Sequence, residues 1–564
     1  MILLGMGFTG TVRSNACSLN VTKIRYLTYV SERRPPLERW GGVECTVNRV
    51  GDAYRDQLAL TGHDRRDADL DALADLGLAA LCYPVLWERV APDAPPGTPG
   101  ACDWRWSDRR LARLQDMAIR PIVGLVHHGS GPRYTALVDD SVAPGLAGFA
   151  SATARRYPWV DEWTPVNEPL TTARFSALYG LWYPHARDDR LFVRALLNQI
   201  DAIRLAMRAI RAVNPDARLV QTEDLGRTWA TASLARQAAF ENARRWLTWD
   251  LLTGRVGPAH PLWEWLCSHG VEARLHAIAD DPCPPDVLGI NHYLTSNRFL
   301  DHRLQHYPAR CRGGNGRQAY ADVEACRVLE PPPPGFAGVI DEAWHRYGRP
   351  IALTEVHNGS TRDEQLRWYA EAERAAQDAR AGGAHVQAVT SWALFGSMGW
   401  DTLLTGEGRY EAGAFDVRSG IPRPTALAHY LAGSRPTGAS PARPEAGPGW
   451  WRRALRLQYT PVRRPVRFRD CPAAEQPDEA RQVLLLIGGT GTLGRAMAGA
   501  CRHRGLPFVL TSRADLDLCN EASIAAALER HRPWAVVNCS GWVRVDDAEG
   551  DPARLHEELG DLLF

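Results

Sequence analysis

The chain lacks any uninterrupted apolar stretch near the roughly 18 residues a membrane-spanning helix needs. Its opening, Met1-Ile2-Leu3-Leu4-Gly5, has neither the basic flank nor the long apolar run of a signal peptide. Net charge is missing too: 66 Lys plus Arg stand against 65 Asp plus Glu, so no global field favours a nucleic acid or an anionic membrane. The 12 cysteines are scattered, with no C-x-x-C pair and no short Cys/His cluster. That argues against a zinc site or a disulfide framework, favours a reduced cytoplasmic compartment, and leaves no metal to expect. What is plentiful is length and tryptophan. The 564 residues suit an α/β barrel with insertions and one further unit. Most of the 20 tryptophans serve to fill a large core, but indole faces are also platforms for sugars.

From about residue 38 to 432, apolar runs with strand character alternate with helical patterns. The runs are Trp40 to Cys45, Ala79 to Leu86, Pro121 to Val126, Trp159 to Val166, Arg218 to Thr222, Val287 to Asn291, Pro350 to Thr354 and Ala388 to Leu394. Helical periodicity is clearest at Asp67 to Leu76, Leu191 to Val213, Leu234 to Leu252 and Arg362 to Ala381. Eight strands with intervening helices predict a (β/α)₈ TIM barrel over residues 37–432. Residues 1–36 match nothing that follows and are expected to be a disordered leader. Residues 433–480 are rich in Pro, Gly, Ala and Arg, then basic and aromatic from Trp450 to Phe468. They are expected to be a linker, partly extended and partly docked. From 481 to 564 a second α/β unit is expected, with strands at Val483 to Ile487, Pro507 to Thr511 and Trp534 to Asn538 and a helix at Glu521 to Arg530.

Two glutamates carry the chemistry of the first domain. Glu168, in Trp163-Thr164-Pro165-Val166-Asn167-Glu168-Pro169, and Glu355, in Leu353-Thr354-Glu355-Val356-His357-Asn358-Gly359, each close an apolar run and are followed by strand breakers. An acid at the C-terminal tip of a barrel strand points into the mouth, where barrel enzymes keep their chemistry. Two acids across one mouth are what glycosidic cleavage needs, one to protonate the leaving oxygen and one to attack the anomeric carbon or activate water.

These segments resemble glycoside hydrolase family 1, the retaining β-glycosidases. Trp163 to Pro169 is similar to the family's W-x-T-x-N-E-P, which implies Glu168 as acid/base and Asn167 as a contact to the sugar 2-hydroxyl. Leu353 to Gly359 is similar to I-T-E-N-G with two residues inserted, which implies Glu355 as nucleophile. Leu125-Val126-His127 matches L-Y-H, making His127 a sugar ligand. Gly289-Ile290-Asn291-His292-Tyr293 resembles G-I-N-Y-Y, whose last tyrosine donates to the nucleophile. Trp392-Ala393-Leu394 through Trp400 resembles W-S-L-L-D-N-F-E-W, whose tryptophans floor the sugar site. Four positions depart from the pattern. Asn48 stands where a sugar-binding glutamine is usual, Cys82 where an arginine steadies the nucleophile, His128 where a tryptophan follows the ligand histidine, and Gly399 where a glutamate grips the outer hydroxyls. Loss of that grip favours a deoxysugar or otherwise modified glycoside over glucose or galactose. Glu355, with a phenol donor and little negative charge nearby, is expected to stay ionised, and Glu168, in a drier setting, to hold its proton.

The second unit opens with Val483-Leu484-Leu485-Leu486-Ile487 and then Gly488-Gly489-Thr490-Gly491-Thr492-Leu493-Gly494. Glycines between strand and helix let the backbone approach a pyrophosphate resting on the helix N-terminus. Gly488, Thr490, Gly491, Leu493 and Gly494 are therefore candidate cofactor contacts, for NADP(H) or NAD(H), with Arg513 placed for a 2′-phosphate. The run from Arg532 to Glu549 resembles R-P-D-x-V-I-N-A-A-A-Y-T-x-V-D-x-A-E of dTDP-4-dehydrorhamnose reductases, extended short-chain dehydrogenases acting on a nucleotide sugar. The likeness covers about the first third of such a domain, a truncated Rossmann-type unit. The family's Tyr-x-x-x-Lys would lie beyond Phe564, so reductase activity is not expected from this chain alone. The leading expectation is an O-glycosyl hydrolase acting on a small-molecule glycoside, the barrel itself using no cofactor. The alternative is a reductase-like protein with a non-catalytic, glycan-binding barrel and a nucleotide sugar as ligand. Oligomeric state is not legible.

Overall fold

The computed structural model describes residues 35–433, 445, 447–463, 483–503, 506–533 and 535–540. The expected leader, much of the expected linker, and the reductase-like motif from Gly541 onward lie outside the described residues. Two compact units divide the chain near residue 472.

The first unit is built on eight strands: β1 (Glu38–Gly42), β2 (Ala80–Pro84), β3 (Arg120–His127), β4 (Glu162–Asn167), β5 (Arg218–Asp224), β6 (Val287–Asn291), β7 (Ile351–Val356) and β8 (Val386–Ser391). They pair in parallel, in chain order, and β8 closes on β1. Strands covered on both faces read as continuous apolar runs rather than alternating ones, which made most of them visible in the sequence; β1 instead starts on the charged Glu38-Arg39 and ends at Gly42, short of the expected Cys45. The barrel interior is filled, not open. Trp40, Ile122, Val220 and Val287 interleave there with the small side chains of Ala80, Ala352 and Ala388, large against small.

The helices that cover the barrel are less regular than the sequence suggests. The long amphipathic pair α3 (Asp189–Arg211) and α5 (Arg362–Ala381) matches the expected spans closely. The expected helix from Asp67 to Leu76 is instead one short turn at Ala68–Asp71 and another at Ala74–Leu76. The expected helix from Leu234 to Leu252 breaks into Ala235–Arg244 and Leu247–Leu252. The break comes where the Arg245 guanidinium turns to the Gly226 carbonyl at 2.8 Å and caps the Trp246 ring at 4.7 Å. Three further helices, α1 (Arg105–Asp116), α2 (Val142–Arg156) and α4 (Phe336–Tyr347), were not singled out. An antiparallel and parallel sheet of Arg312–Gly314, Ala319–Glu324, Arg298–Asp301 and Thr228–Ala230 is carried on the loops after β5 and β6.

Part of the expected linker belongs to the barrel unit. Val462–Arg463 pairs in parallel with Leu329–Glu330. Trp451 is 2% exposed, stands edge-on to Trp368 at 5.0 Å, and donates its Nε1–H to Glu371 of α5 at 2.8 Å. Arg453 pairs with Glu364 at 2.8 Å, and Arg327 lies 3.6 Å from the Trp450 ring centre.

In the second unit β9 (Leu484–Ile487) lies between β10 (Phe508–Thr511) and β11 (Ala535–Asn538), all parallel, with α6 (Thr492–His503) and α7 (Glu521–His531) connecting them. This is the start of a doubly wound α/β sheet.

Candidate active site

All nine barrel residues singled out from sequence lie at or just beyond the C-terminal ends of the strands, and the backbone there is held under strain. Glu168 follows β4 with φ 44°, His128 follows β3 with φ 54°, and Ala393 follows β8 with φ 53°. Left-handed backbone at non-glycine residues costs about 1–3 kcal/mol each and persists only where surrounding contacts enforce it. For Glu168 the enforcing group is Glu223 at the end of β5. Its carboxylate accepts from Leu170 N at 2.9 Å, Thr171 N at 3.2 Å, the Thr171 hydroxyl at 2.9 Å and the Thr248 hydroxyl at 2.6 Å, clamping the turn that follows Glu168. Glu355 is aimed differently. Between Leu353 and Glu355, β7 advances two residues while β6 advances one, from Ile290 to Asn291, and such a bulge re-aims the side chain.

The two glutamates are equally buried and differently partnered. Glu355 accepts a hydrogen bond from the Tyr293 hydroxyl, and its other oxygen lies 3.9 Å from His127 Nε2. Glu168 accepts from Asn291 Nδ2 at 2.6 Å, and its other oxygen lies 3.8 Å from His128 Nε2. Asn167 joins the two sides. Its oxygen accepts from the Thr222 hydroxyl at 2.5 Å, so its amide faces Nε2 of His127 and of His128 at 3.2 and 3.3 Å. Both imidazoles therefore accept at Nε2 and carry their protons on Nδ1, and His128 Nδ1 lies 3.0 Å from the Thr172 hydroxyl. Burial pushes both histidines down to about 3, so they are neutral.

Burial also lifts both carboxyls well above the usual glutamate range. For Glu168 the charges of Glu355, Asp224 and Glu223 add to burial, and only the Asn291 amide opposes them. For Glu355 burial is opposed first by the Tyr293 hydroxyl and also by the Asn167 amide, while Glu44 and Asp224 reinforce it. The Tyr293 hydroxyl and the Asn167 amide oppose the rise at Glu355 more than the Asn291 amide does at Glu168, which favours ionisation at Glu355 over Glu168. The expectation of little negative charge around Glu355 is corrected: Glu44, just past β1, contributes a buried carboxylate.

Aromatic rings surround the pair. His127 stacks on Trp392 at 5.3 Å, and His128 meets the edges of Trp182 at 5.5 Å and Trp400 at 5.7 Å. Asn48 is fully buried and donates to the Leu404 carbonyl at 3.3 Å. Beside Glu355 a small cavity of about 30 Å³ lies between Cys45, Cys82, Ile122, Thr164 and Thr354. Cys82 stands where the sequence comparison has an arginine, and burial pushes its thiol up, so it supplies no charge. Gly399 is fixed by its turn: φ is 83°, its N–H donates to Arg409 O at 2.9 Å, and its carbonyl accepts from Leu404 N at 3.0 Å. Glu44, Trp182, Glu223 and Asn291 were not singled out. Asn291 lay inside a motif read for its tyrosine, Glu44 lay inside the run from Trp40 to Cys45, and Glu223 followed the run from Arg218 to Thr222.

In the second unit the glycine turn joins β9 to α6. Gly488 has φ 95°, and a side chain at Gly494 would place its first carbon 2.2 Å from the Gly488 carbonyl oxygen. Thr490, Gly491 and Leu493 are exposed at this turn, and Arg513, after β10, is exposed and 3.8 Å from Asp517.

A closed parallel barrel whose mouth holds two buried, unequally partnered carboxylates among indole rings defines the class of the barrel glycoside hydrolases. The family described as glycosyl hydrolase family 1 matches residues 40–402, and the chain belongs to it. The barrel is similar in fold to the β-glucosidase from Thermotoga maritima in complex with cyclophellitol, at TM-score 0.55 and 14% identity over 71% of this chain and 97% of that one. In sequence, β-glucosidase A of Thermotoga maritima is 23% identical over 185 residues, 32% of this chain and 41% of the relative. Residues 482–557 match the family described as RmlD substrate binding domain. There the dTDP-4-dehydrorhamnose reductase of Streptomyces griseus is 39% identical over 69 residues, 12% of this chain and 23% of the relative. The chain spans about a quarter of the length of the curated reductases it matches. Among the described residues, no helix is long and apolar enough to cross a membrane.

Proposed function

We propose that the barrel hydrolyses a small-molecule β-glycoside with retention of configuration, using Glu355 as nucleophile and Glu168 as acid/base. The observation that carries this reading is the unequal partnering of the pair, which favours the ionised form at Glu355 and the protonated form at Glu168. Glu355 attacks the anomeric carbon while Glu168 gives its proton to the departing oxygen. Esterification removes the charge of Glu355, so Glu168 loses its proton more readily and accepts one from the water that completes hydrolysis. Asn167, His127 and His128 contact sugar hydroxyls, and Trp392 and Trp400 pack against the ring. The favoured substrate is a deoxysugar or otherwise modified glycoside rather than glucose. The test is Glu355→Gly with an activated aryl glycoside: hydrolysis is lost and returns with added azide, which forms a glycosyl azide. Unchanged hydrolysis in that variant refutes the assignment.

For the second unit we propose a pyrophosphate cradle for NADP(H) or NAD(H). The close approach of Gly494 to Gly488 supports it, because only a residue without a side chain lets α6 start that near the end of β9, as a pyrophosphate-binding turn requires. Gly488, Gly491 and Gly494 would hold the phosphates and Arg513 a 2′-phosphate, and the bound nicotinamide would supply hydride chemistry. Fluorescence titration with NADPH and NADH, with Arg513→Ala as the comparison, reads this directly. No quenching by either nucleotide overturns it.

A further inference from the structure

Glu44 is a third acid of the barrel mouth, and the proposed reaction gives it no task. It lies immediately after β1, 2% exposed. One oxygen accepts from Thr46 N at 2.9 Å and the other from Trp400 Nε1 at 3.0 Å, so it is held against a ring assigned to the sugar floor. Both donors are neutral, and among the described residues Glu44 forms no ion pair. Asp224, by contrast, has the guanidinium of Arg174 at 3.9 Å. The charge of Glu44 acts on Glu355, Tyr293 and His128, which places it within the same site. A buried carboxylate without a cation is costly and usually finds one.

A second buried acceptor follows it closely in the chain. Asn48, four residues on and wholly buried, has an amide proton on the Leu404 carbonyl, and its oxygen has no hydrogen-bond partner among the described residues. Two carboxylate oxygens with free lone pairs and one orphaned amide oxygen ask for a ligand rich in donors. A hydroxyl brings one donor, whereas an ammonium group brings three and a charge.

We infer that the sugar accepted at this site carries a basic nitrogen, an aminodeoxy glycoside whose ammonium group pairs with Glu44. The inference rests on the glycosidase reading for the site and names its substrate class. Glu44 acts here as a specificity residue and not as an acid or base of the reaction.

The experiment uses the full chain, a set of nitrophenyl β-glycosides in which one hydroxyl at a time is replaced by an amine, the parent glucoside, and the N-acetylated form of each amine. For at least one amine the wild type is expected to show kcat/KM about tenfold or more above both the parent and the acetylated form, the scale of a charge-assisted bond in a dry site. Glu44→Gln, which keeps the shape and removes the charge, is expected to abolish that preference. A parent glucoside turned over as well as every amine overturns the inference and leaves the glycosidase reading intact. A preference unchanged in Glu44→Gln also overturns it. Binding is measured in parallel, as thermal stabilisation by the free aminosugars and by glucose, so the inference is tested even if nothing is hydrolysed. Equal stabilisation of wild type by amine and hydroxyl sugars refutes it, and selective stabilisation by one amine, lost in Glu44→Gln, supports it. The wild-type ratios stand alone should Glu44→Gln fail to fold.

Discussion

Replacing Trp451 by alanine tests whether the segment after the barrel is a tether or part of its wall. The ring is 2% exposed, wedged edge-on against Trp368, and bonded through Nε1 to Glu371. Truncating a buried tryptophan costs about 3–5 kcal/mol. Loss of one hydrogen bond adds about 1, and no more, because Glu371 keeps Arg452 as a partner. A unit of about 430 residues has an unfolding entropy near 0.9 kcal/mol per kelvin, so a total of about 4–6 kcal/mol corresponds to a fall of about 4–7 °C in Tm. Far-UV circular dichroism of the full chain during heating measures it. Trp450→Ala is the control, since that ring is only half-buried under Arg327 and its loss costs about 1 kcal/mol. A Trp451→Ala shift under 1 °C, or one equal to the control, would refute the docking and return the segment to the role of a loose connector.

Three further outcomes follow from the geometry of the site. Tyr293→Phe removes a donor that holds the Glu355 carboxyl down; because Glu355 must be ionised, activity lost on acidification is then lost at higher pH, and the acid limb of the kcat/KM profile moves up. Asn291→Ala removes the only donor opposing the rise of Glu168; because Glu168 must be protonated, the basic limb also moves up, and a limb that moves down contradicts the assignment. Glu223→Gln keeps the size of the side chain but turns an amide toward donors at the Glu168 turn, so kcat should fall on the order of 100-fold with KM little changed.

Much of the barrel was legible because a parallel strand buried on both faces leaves an apolar run, and Val287 to Asn291 was read to the residue. Helices were harder. Pro144, Gly145 and Gly148 lower the helix propensity of α2, yet its packing against α3 overrides them. In the stretch from Leu234 to Leu252 the hydrophobic period continues through the break at Arg245, whose contacts to Gly226 and the Trp246 ring periodicity cannot register. The glutamates that close β4 and β7 were visible from the breakers after them. Glu223 follows an apolar run in the same way and Glu44 sits within one, but their partners depend on which loops meet them. Trp400 and the turn after Glu168 come from elsewhere in the chain, and only the closed barrel brings them together.

The Asn167 amide has two protons and three acceptors around it, the ε nitrogens of His127 and His128 and the carboxylate of Glu355. Two protons therefore stand against three acceptors. One further donor would bring three protons to three acceptors, and on the proposed function a sugar hydroxyl is that donor. An ether or a fluorine at the same carbon would bring lone pairs to a place already crowded with them. The pocket's demand at that point is for a proton rather than for a shape.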